Sequence, residues 1–463
     1  MFFEAIYFVG AGGIGMSALI RYFLSQGKAV GGYDRTPTPL TQALIAEGAE
    51  IHFEDNPELI PSRFRHAAET LVVYTPAIPH DHRELQWLRQ QGHRVMKRAE
   101  VLGLISRDLK TLCVAGTHGK TTTSSMAAHL LHQSTVGCTA FLGGISKNYN
   151  SNLLLSHESP YCVIEADEFD RSFHHLRPWA SVVTATDPDH LDIYGTPEAY
   201  LESFSHYTSL IQPGGALIVH TGLALQPRLQ EGVKLYTYSR DEGDFHAERI
   251  RIGGGEILMD FVAPDTRIAD VRLGVPVGIN VENGVAAMAL AHLAGASDEE
   301  LKRGMESFRG VDRRFDFRLR TPSRALLSDY GHHPAEVRQS LLSLRELYPD
   351  RKLTVIFQPH LYTRTRDFYP EFAESLSLAD EVILTDIYPA RELPIEGVSS
   401  RLIYDRLAPA VEKTLCTKEE VAHLLRSRTD REVVVVLGAG DLDNHMDEYE
   451  QIIRSQEATD RKE

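Results

Sequence analysis

Lys120 is the residue whose neighbours most directly indicate a chemical role. It lies between a glycine and a run of threonines. It stands in the run AGTHGKTTT at residues 115–123, directly after an apolar, strand-like stretch. Gly116 and Gly119 allow backbone amides to turn toward phosphate oxygens. Lys120 supplies a positive charge for the β- and γ-phosphates, and the Thr121 hydroxyl can ligate Mg²⁺. We therefore predict a phosphate-binding loop in an enzyme that consumes a nucleoside triphosphate. A glycine-rich turn with an incidental lysine is the alternative, because the general loop pattern has a further glycine at a position that is valine here.

Acidic residues and a histidine follow two other strand-like stretches. Glu165 is the first acid of the run EADE, and a carboxylate at a strand end beside a phosphate loop is where a Mg²⁺ ligand is needed. The sequence leaves open which of Glu165, Asp167 and Glu168 touches the metal. His190 lies just past another strand end, where a neutral imidazole could ligate a second cation. A surface or packing role for His190 is the alternative.

The N-terminal segment predicts a second anion site. A strand-like stretch at 6–9 leads into GAGGIG at 10–15 and then into apolar residues at helical spacing. This arrangement holds the pyrophosphate of a dinucleotide or of a UDP-sugar, with Asp34 after the second strand placed for a ribose. A nicotinamide dehydrogenase, or a glycine turn that serves only tight packing, is the alternative. The predicted contact residues are Gly10, Gly12, Gly13, Gly15, Asp34 and Thr75.

Strand-like runs alternate with helical patterns, which predicts α/β architecture with parallel sheets. A length of 463 residues argues for about three domains. We place them at 1–107, 108–315 and 316–463, and we expect antiparallel strands and hairpins within 213–275.

Composition excludes several classes of protein. With 43% hydrophobic and 24% charged residues the chain is typical of soluble globular proteins, and its apolar runs fall short of the ~20 residues that cross a bilayer. The N-terminus carries neither a basic leader nor a cleavage site, so we expect a cytoplasmic enzyme. The net charge of −16 argues against a broad nucleic-acid surface. The cysteines are too dispersed to suggest a thiolate metal site: Cys113, Cys138, Cys162 and Cys416.

A series of motifs, taken in order, resembles those of the Mur ligases of peptidoglycan synthesis. The motifs are AGTHGKTTT at 115–123, EADE at 165–168, DHLD at 189–192, NVEN at 280–283, RRFD at 313–316, DYGHHP at 329–334 and QPH at 358–360. The resemblance covers nearly the whole chain. It implies a Rossmann-like N-terminal domain for a UDP-sugar, a central P-loop ATPase domain, and a Rossmann-like C-terminal domain that helps to hold an amino acid.

The resemblance also implies a reaction. ATP and Mg²⁺ would activate the lactyl carboxylate of UDP-N-acetylmuramate as an acyl phosphate, and the amine of L-alanine would then displace phosphate. The alternative within the family is the recycling ligase that adds a ready-made tripeptide. That branch usually lacks RRFD at 313–316 and YTRTR at 362–366, both of which this chain has. The oligomeric state stays open.

Residue roles carried over by motif fall into four groups. The catalytic group is Lys120, Glu165, His190 and Arg314. The ATP contacts are Gly116, Thr117, His118, Gly119, Lys120, Thr121, Thr122, Asn280, Asn283, Arg314 and Asp329. The metal ligands are Thr121, Glu165 and His190. The amino-acid contacts are His332, His360 and Arg364. Two structural alternatives stand beside these roles: Arg313 and Arg314 as a solvated pair, and His332 and His333 as a cap of the helix starting at Pro334.

The chain departs from the family pattern at three places. Ala185 and Thr186 stand where an asparagine is frequent, and Ile279 stands where a histidine is common. Leu361 replaces the usual arginine after QPH, so anion recognition there would pass to Arg364 or Arg366.

Overall fold

The computed structural model describes residues 3–79, 81–253, 255–390 and 392–460. It confirms the α/β class. The N-terminal sheet consists of five parallel strands in the order β3-β2-β1-β4-β5. Its strands are β1 (Ala5–Val9), β2 (Ala29–Tyr33), β3 (Glu50–His52), β4 (Thr70–Tyr74) and β5 (Arg94–Lys97). Its helices are α1 (Ile14–Ser25), α2 (Pro39–Ala46), α3 (Arg83–Gln90) and α4 (Arg98–Ile105), with 3₁₀ turns at Pro57–Leu59 and Ser62–Phe64.

The strand β1 lies at the centre of this sheet because its residues are apolar and buried on both faces. Close packing requires glycine in the neighbouring strand: a Cβ added at Gly32 would lie 2.3 Å from the carbonyl oxygen of Phe8. The glycine loop 10–13 follows the carboxyl end of β1 and enters α1, as the sequence predicts.

The central sheet has seven strands in the order β12-β11-β10-β6-β9-β7-β8. They are β6 (Lys110–Ala115), β7 (Thr139–Ser146), β8 (Ser151–Leu154), β9 (Tyr161–Ala166), β10 (Pro178–Val183), β11 (Ala216–His220) and β12 (Lys234–Tyr238). The pair β7–β8 is antiparallel, and the other five pairs of neighbouring strands in this sheet run parallel. The helices are α5 (Lys120–His132), α6 (Leu191–Tyr194) and α7 (Pro197–Thr208), with a 3₁₀ segment at Phe169–His175.

The interpretation of 213–275 as antiparallel strands is wrong for its first part. The strands β11 and β12 continue the central sheet in parallel, since β11 pairs with β10 and β12 pairs with β11. A separate three-stranded sheet follows, formed by β13 (His246–Gly253), β14 (Glu256–Val262) and β15 (Arg267–Arg272). The helices α8 (Ile279–Leu293) and α9 (Asp298–Ser307) come next, and α9 begins with a capping box between Ser297 and Glu300.

The C-terminal sheet has six strands in the order β16-β17-β21-β18-β19-β20. They are β16 (Asp316–Arg320), β17 (Ala325–Asp329), β18 (Leu353–Phe357), β19 (Glu381–Leu384), β20 (Glu412–Leu415) and β21 (Val433–Leu437). Apart from the antiparallel edge strand β16, the sheet is parallel. The helices are α10 (Pro334–Leu347), α11 (Tyr362–Leu376), α12 (Arg401–Tyr404), α13 (Val421–Ser427) and α14 (Met446–Asp460), with a 3₁₀ turn at Leu442–His445.

The chain divides into two compact units. The first contains the N-terminal and central sheets, and the second contains the C-terminal sheet together with residues 249–259 and 272–281. In the part of the chain that the structure describes, every helix is too short or too polar to cross a bilayer.

Candidate active site

The loop at 116–119 joins β6 to α5, as the sequence predicts. Gly116 has a φ of +130°, and a Cβ added there would lie 2.2 Å from the Thr184 hydroxyl oxygen. Gly119 has a φ of +78° and begins the helix in the left-handed region. Both glycines are therefore required by backbone geometry. The amide of Thr117 donates to the carbonyl of Ala185, at 3.1 Å, which ties the loop to the end of β10.

Lys120 folds back onto this loop. Its Nζ donates to the carbonyl oxygen of Gly116 at 2.7 Å and to that of Thr117 at 3.4 Å. It also lies 2.9 Å from Oε1 and 2.7 Å from Oε2 of Glu168. Burial by itself would lower the pKa of Lys120, but the nearby carboxylates, Glu168 above all, raise it above the ordinary value. The side chain therefore stays a cation beside the loop.

The three acids at the end of β9 differ in their partners. Asp167 accepts a hydrogen bond from the amide of Phe169 and lies 3.5 Å from the guanidinium of Arg98. Glu168 is occupied by Lys120. Among the described residues, Oε2 of Glu165 and Oε2 of Glu168 are both buried without a hydrogen-bond partner, but only that of Glu168 lies beside a cation, 2.7 Å from Nζ of Lys120. A buried carboxylate oxygen such as that of Glu165 calls for a cation or a donor from outside the protein.

The other proposed metal ligands are arranged less distinctively. Thr121 is buried in the first turn of α5. His190 has a φ of +53° and begins α6, and its ring meets that of Phe169 edge-on with the centroids 5.1 Å apart. Within the described residues, no group of three or more histidine, cysteine, aspartate or glutamate side chains is arranged as a metal site.

A cavity of about 250 Å³ connects the first glycine loop with the acids of β9. Residues of the first glycine loop and of the acidic run at the end of β9 line it, among them Gly13, Gly15, Thr75, Arg98, Glu165 and Asp167. The structure thus brings part of the predicted UDP-sugar site and the predicted catalytic acid Glu165 to one cavity.

Arg98 is a functional candidate that the sequence reasoning missed. A Cβ added at Gly15 would lie 2.6 Å from Nη1 of Arg98, so the guanidinium packs directly against the glycine loop. Its neighbour Lys97 pairs with Asp170 at 2.6 Å. The available signal was a pair of basic residues, Lys97 and Arg98, directly at the end of a parallel strand.

Asp34 contacts the glycine loop itself. Its Oδ2 accepts from the amide of Gly12 at 2.6 Å, and its Oδ1 accepts from the amide of Thr36 at 3.1 Å. Gly10 has a φ of +91° and faces Thr75, whose Cγ2 would lie 2.8 Å from an added Cβ. These residues shape the loop; their contacts with a ligand stay a prediction.

The two asparagines of the NVEN motif have different surroundings. Asn283 lies beside the phosphate loop: the Thr123 hydroxyl donates to its Oδ1 at 3.2 Å, and that oxygen would lie 2.9 Å from a Cβ at Gly119. Asn280 donates through Nδ2 to the carbonyl of Val275 at 3.1 Å.

In the C-terminal sheet, Asp329 organises the start of the domain. Its Oδ1 accepts from the amides of Phe315 and Tyr330, and its Oδ2 accepts from the Ser340 hydroxyl. Burial raises the pKa of Asp329 above its ordinary value. The guanidinium carbons of Arg313 and Arg314 lie 4.9 and 4.8 Å from the ring centroid of Tyr330. The two arginines are therefore stacked, which argues against the solvated-pair alternative.

The predicted amino-acid contacts lie near one another. The rings of His332 and His360 have centroids 5.9 Å apart, and Nη1 of Arg364 lies 3.3 Å from Nδ1 of His360. The helix-cap alternative applies to His333, whose Nδ1 accepts from the amide of Ala335. His332 also contacts the first turn of α10, since its Nδ1 lies 3.3 Å from Oε2 of Glu336, and the same nitrogen lies 3.1 Å from the carbonyl oxygen of Tyr330.

The departure at Leu361 is visible in the backbone and in its neighbours. Leu361 precedes α11 with a φ of +72°, a backbone conformation that residues other than glycine rarely adopt. Arg366 is paired with Asp367 at 2.7 Å. Of the two arginines expected to replace the missing one, Arg364 is therefore the one that joins the histidines.

The chain thus has three sheets in succession: one with a glycine loop, one with a phosphate-type loop beside an acid, and a third that is mostly parallel. This arrangement is typical of the three-domain, ATP-dependent α/β ligases. Three sequence models cover the chain in that order. The Mur ligase family catalytic domain matches residues 5–110, the Mur ligase middle domain matches 114–291, and the Mur ligase glutamate ligase domain matches 313–449. The chain belongs to the Mur ligase family.

Within this family, the chain is similar to enzymes that carry one particular name. The UDP-N-acetylmuramate–L-alanine ligase of Phocaeicola vulgatus is 68% identical over 443 residues, which cover 96% of each chain. The enzyme of the same name from Parabacteroides distasonis is 61% identical, with 98% of each chain covered. The crystal structure of UDP-N-acetylmuramate–alanine ligase from Thermotoga maritima superposes with a TM-score of 0.81 at 27% identity, covering 98% of this chain and 99% of that one.

Proposed function

We propose that the chain joins L-alanine to the lactyl carboxylate of UDP-N-acetylmuramate, with conversion of ATP to ADP and phosphate, in peptidoglycan synthesis. The observation that carries this proposal is the full-length identity of 68% to a relative named for that reaction. The cavity that links the first glycine loop with Glu165 supports it, because the reacting carboxylate and the ATP phosphate have to meet.

We propose that the UDP-sugar lies in domain 1–107, on the glycine loop at the start of α1. The loop amides and the positive end of the helix suit a diphosphate. Arg98 would add a cation at the same place, since its guanidinium lies against Gly15. The direction of the cavity toward Glu165 supports an orientation in which the lactyl group points to the central domain.

We propose that domain 108–315 binds ATP through the loop at 116–122 and Asn283. Mg²⁺ fits the unpartnered, buried oxygen of Glu165, and Thr121 and His190 are the other proposed ligands. When bound, Mg²⁺ would neutralise phosphate charge. Lys120 would hold the β- and γ-phosphates, and both it and the metal would reduce the repulsion between two anionic reactants.

We propose that domain 316–463 holds the amino acid. His332, His360 and Arg364 form the cluster that supports this role, since a guanidinium is suited to the carboxylate of L-alanine. Burial lowers the pKa of His332, which favours a neutral ring that can accept a proton. By the family resemblance, Asn280, Arg314 and Asp329 would add contacts to ATP.

The proposed reaction has two transfers. A carboxylate oxygen attacks the γ-phosphorus of ATP, the bond to the β,γ-bridging oxygen breaks, and ADP leaves. The amine nitrogen of L-alanine then attacks the acyl carbon, phosphate leaves with the electron pair of the C–O bond, and the amine gives up a proton. The protein's contribution is the positioning of charged reactants.

Two other functions are disfavoured. The tripeptide-adding ligase shares the phosphate loop, but the relatives at 68% and 61% identity carry the name of the alanine-adding enzyme. A nicotinamide dehydrogenase leaves Lys120 and Glu165 without a role. The use of ATP and a nucleotide sugar supports the cytoplasm as the proposed location.

Phosphate release measured with ATP, Mg²⁺ and UDP-N-acetylmuramate, with the amine varied, tests the function. We expect L-alanine to give the fastest release and the ligated product to appear in equal amount. Release with L-alanine that is no faster than with the tripeptide, or than without an amine, would show that the assignment is wrong.

A further inference from the structure

Lys120 has no unused hydrogen-bonding capacity in this structure. A lysine ammonium carries three N–H donors. Its Nζ donates to Oε1 of Glu168 at 2.9 Å and to the carbonyl oxygens of Gly116 and Thr117 at 2.7 and 3.4 Å, and Oε2 of Glu168 lies 2.7 Å away. A triphosphate that uses Lys120 therefore has to take at least one of these contacts away.

The pair is buried, so little water surrounds either charge. The side chain of Lys120 is 14% exposed and that of Glu168 is 2% exposed. In such surroundings the attraction between opposite charges is weakly screened, and removal of one partner leaves the other uncompensated. Glu168 is thus a direct competitor of the phosphate groups for the loop lysine.

Glu168 is also the more firmly held partner. Its carbonyl oxygen accepts from the hydroxyl of Tyr194 and from the amide of Arg171. The chain turns sharply just after it, since Asp170 and Arg171 have φ values of +52° and +54°. Lys120, by contrast, has a flexible four-carbon stem. Adjustment on nucleotide binding therefore falls to the lysine.

We propose that Glu168 is a positioning residue that holds the ammonium of Lys120 on the phosphate loop before nucleotide binds and gives up part of that contact to ATP. It lowers the affinity for ATP and in exchange keeps the lysine oriented for the transfer step. The proposal rests on the role in ATP binding proposed above for Lys120, and it assigns Glu168 no contact with substrate or metal.

Nucleotide binding by Glu168→Gln tests the proposal. We expect the Kd for ATP to fall about tenfold, both with Mg²⁺ and with a chelator, because the competing charge is gone. In turnover, KM for ATP should fall while kcat falls as well, since the lysine is less well oriented. A merely structural role would not lower the Kd. An unchanged or raised Kd for ATP overturns the proposal, and weaker binding only with Mg²⁺ would instead make Glu168 a metal ligand.

Two further variants complete the test. Glu202→Gln is the matched control, because Glu202 forms an exposed ion pair with Arg228 in the same domain, and its Kd should equal that of the wild type.

Glu168→Asp keeps the charge but shortens the reach, so we expect its Kd to fall about threefold and its kcat to exceed that of Glu168→Gln. If Glu168→Gln does not fold, the Kd of Glu168→Asp decides, and a value equal to or above the wild type overturns the proposal. Binding of ATP does not require ligation, so a failure of the L-alanine assay leaves this result readable.

Discussion

At the scale of single residues, the three neighbouring acids at the end of β9 have different partners. Oε2 of Glu165 lacks a hydrogen-bond partner among the described residues, Asp167 pairs with Arg98, and Glu168 pairs with Lys120. We propose that these surroundings give the three carboxylates separate roles. A change of one carboxylate should therefore affect a different step from a change of its neighbour.

Glu165→Gln should raise the Mg²⁺ concentration needed for half-maximal phosphate release by about tenfold or more, because a neutral amide is a poor ligand for a hard cation. A titration of Mg²⁺ at saturating ATP measures this. Glu158→Gln is the control, since Glu158 precedes the opposite end of the same strand and is exposed. An unchanged titration curve would remove Glu165 from the metal site.

Arg98→Ala should weaken the binding of UDP-N-acetylmuramate by about tenfold and leave the Kd for ATP unchanged, because a charge-assisted contact to the diphosphate is lost. Calorimetry with each ligand separately measures the two effects. Arg94→Ala provides the comparison, since Arg94 is exposed at the other end of β5. Equal weakening of both ligands would show that Arg98 supports the domain and not the sugar site.

At the scale of elements, a buried polar cluster joins β1 to α3. The Tyr7 hydroxyl donates to Oε2 of Glu84 at 2.8 Å, and the amide of Asn56 donates to Oε1 at 3.1 Å. His52 lies 3.4 Å from the same carboxylate. Burial, as the largest cause, raises the pKa of Glu84 from 4.5 to about 7. The folded domain therefore binds a proton here that the unfolded chain has already released.

This cluster predicts a pH-dependent stability. Between pH 4.5 and 7 the folded state holds more protons at Glu84, so the free energy of unfolding should fall as pH rises, by about 3 kcal/mol at most. Burial lowers the pKa of His52 and His82, which opposes this slope. The difference between wild type and Glu84→Gln isolates the carboxylate. Urea unfolding at pH 5, 6, 7 and 8 measures the free energy of unfolding of both proteins. If this free energy changes with pH equally in wild type and Glu84→Gln, the raised pKa is contradicted.

At the scale of the whole molecule, the two predicted anion-binding loops lie on separate sheets of one compact unit, and a cavity joins the first loop to Glu165 and Asp167. Each loop leaves the carboxyl end of a parallel strand and enters a helix, which is where such folds bind ligands. We therefore expect each predicted ligand to bind to its own sheet independently of the other.

Lys120→Ala should therefore abolish phosphate release, by at least about a thousandfold, and change the Kd for UDP-N-acetylmuramate less than twofold. Release is followed by a coupled phosphate assay and binding by calorimetry. Lys234→Ala is the control, since Lys234 is exposed at the start of β12. A comparable loss of both properties would contradict the division of labour between domains 1–107 and 108–315.

Local patterns determined much of this protein. The sequence alone identifies both loops, because glycine spacing and an adjacent strand and helix are properties of neighbouring residues. It also identifies the order of the motifs and the α/β class. The interpretation of residues 213–275 was partly wrong because β11 and β12 are short, and only their pairing with β10 shows that they extend the central sheet.

Only the tertiary structure decided the partners of the charged groups. Lys120 and Glu168 are 48 residues apart, and Arg98 and Asp167 are 69 apart. No local pattern links such positions, since they meet through the order in which β9, β6 and α4 pack. For the same reason the sequence could not distinguish Glu165 from Glu168. Only the packing of β9 beside α5 shows that Lys120 pairs with Glu168.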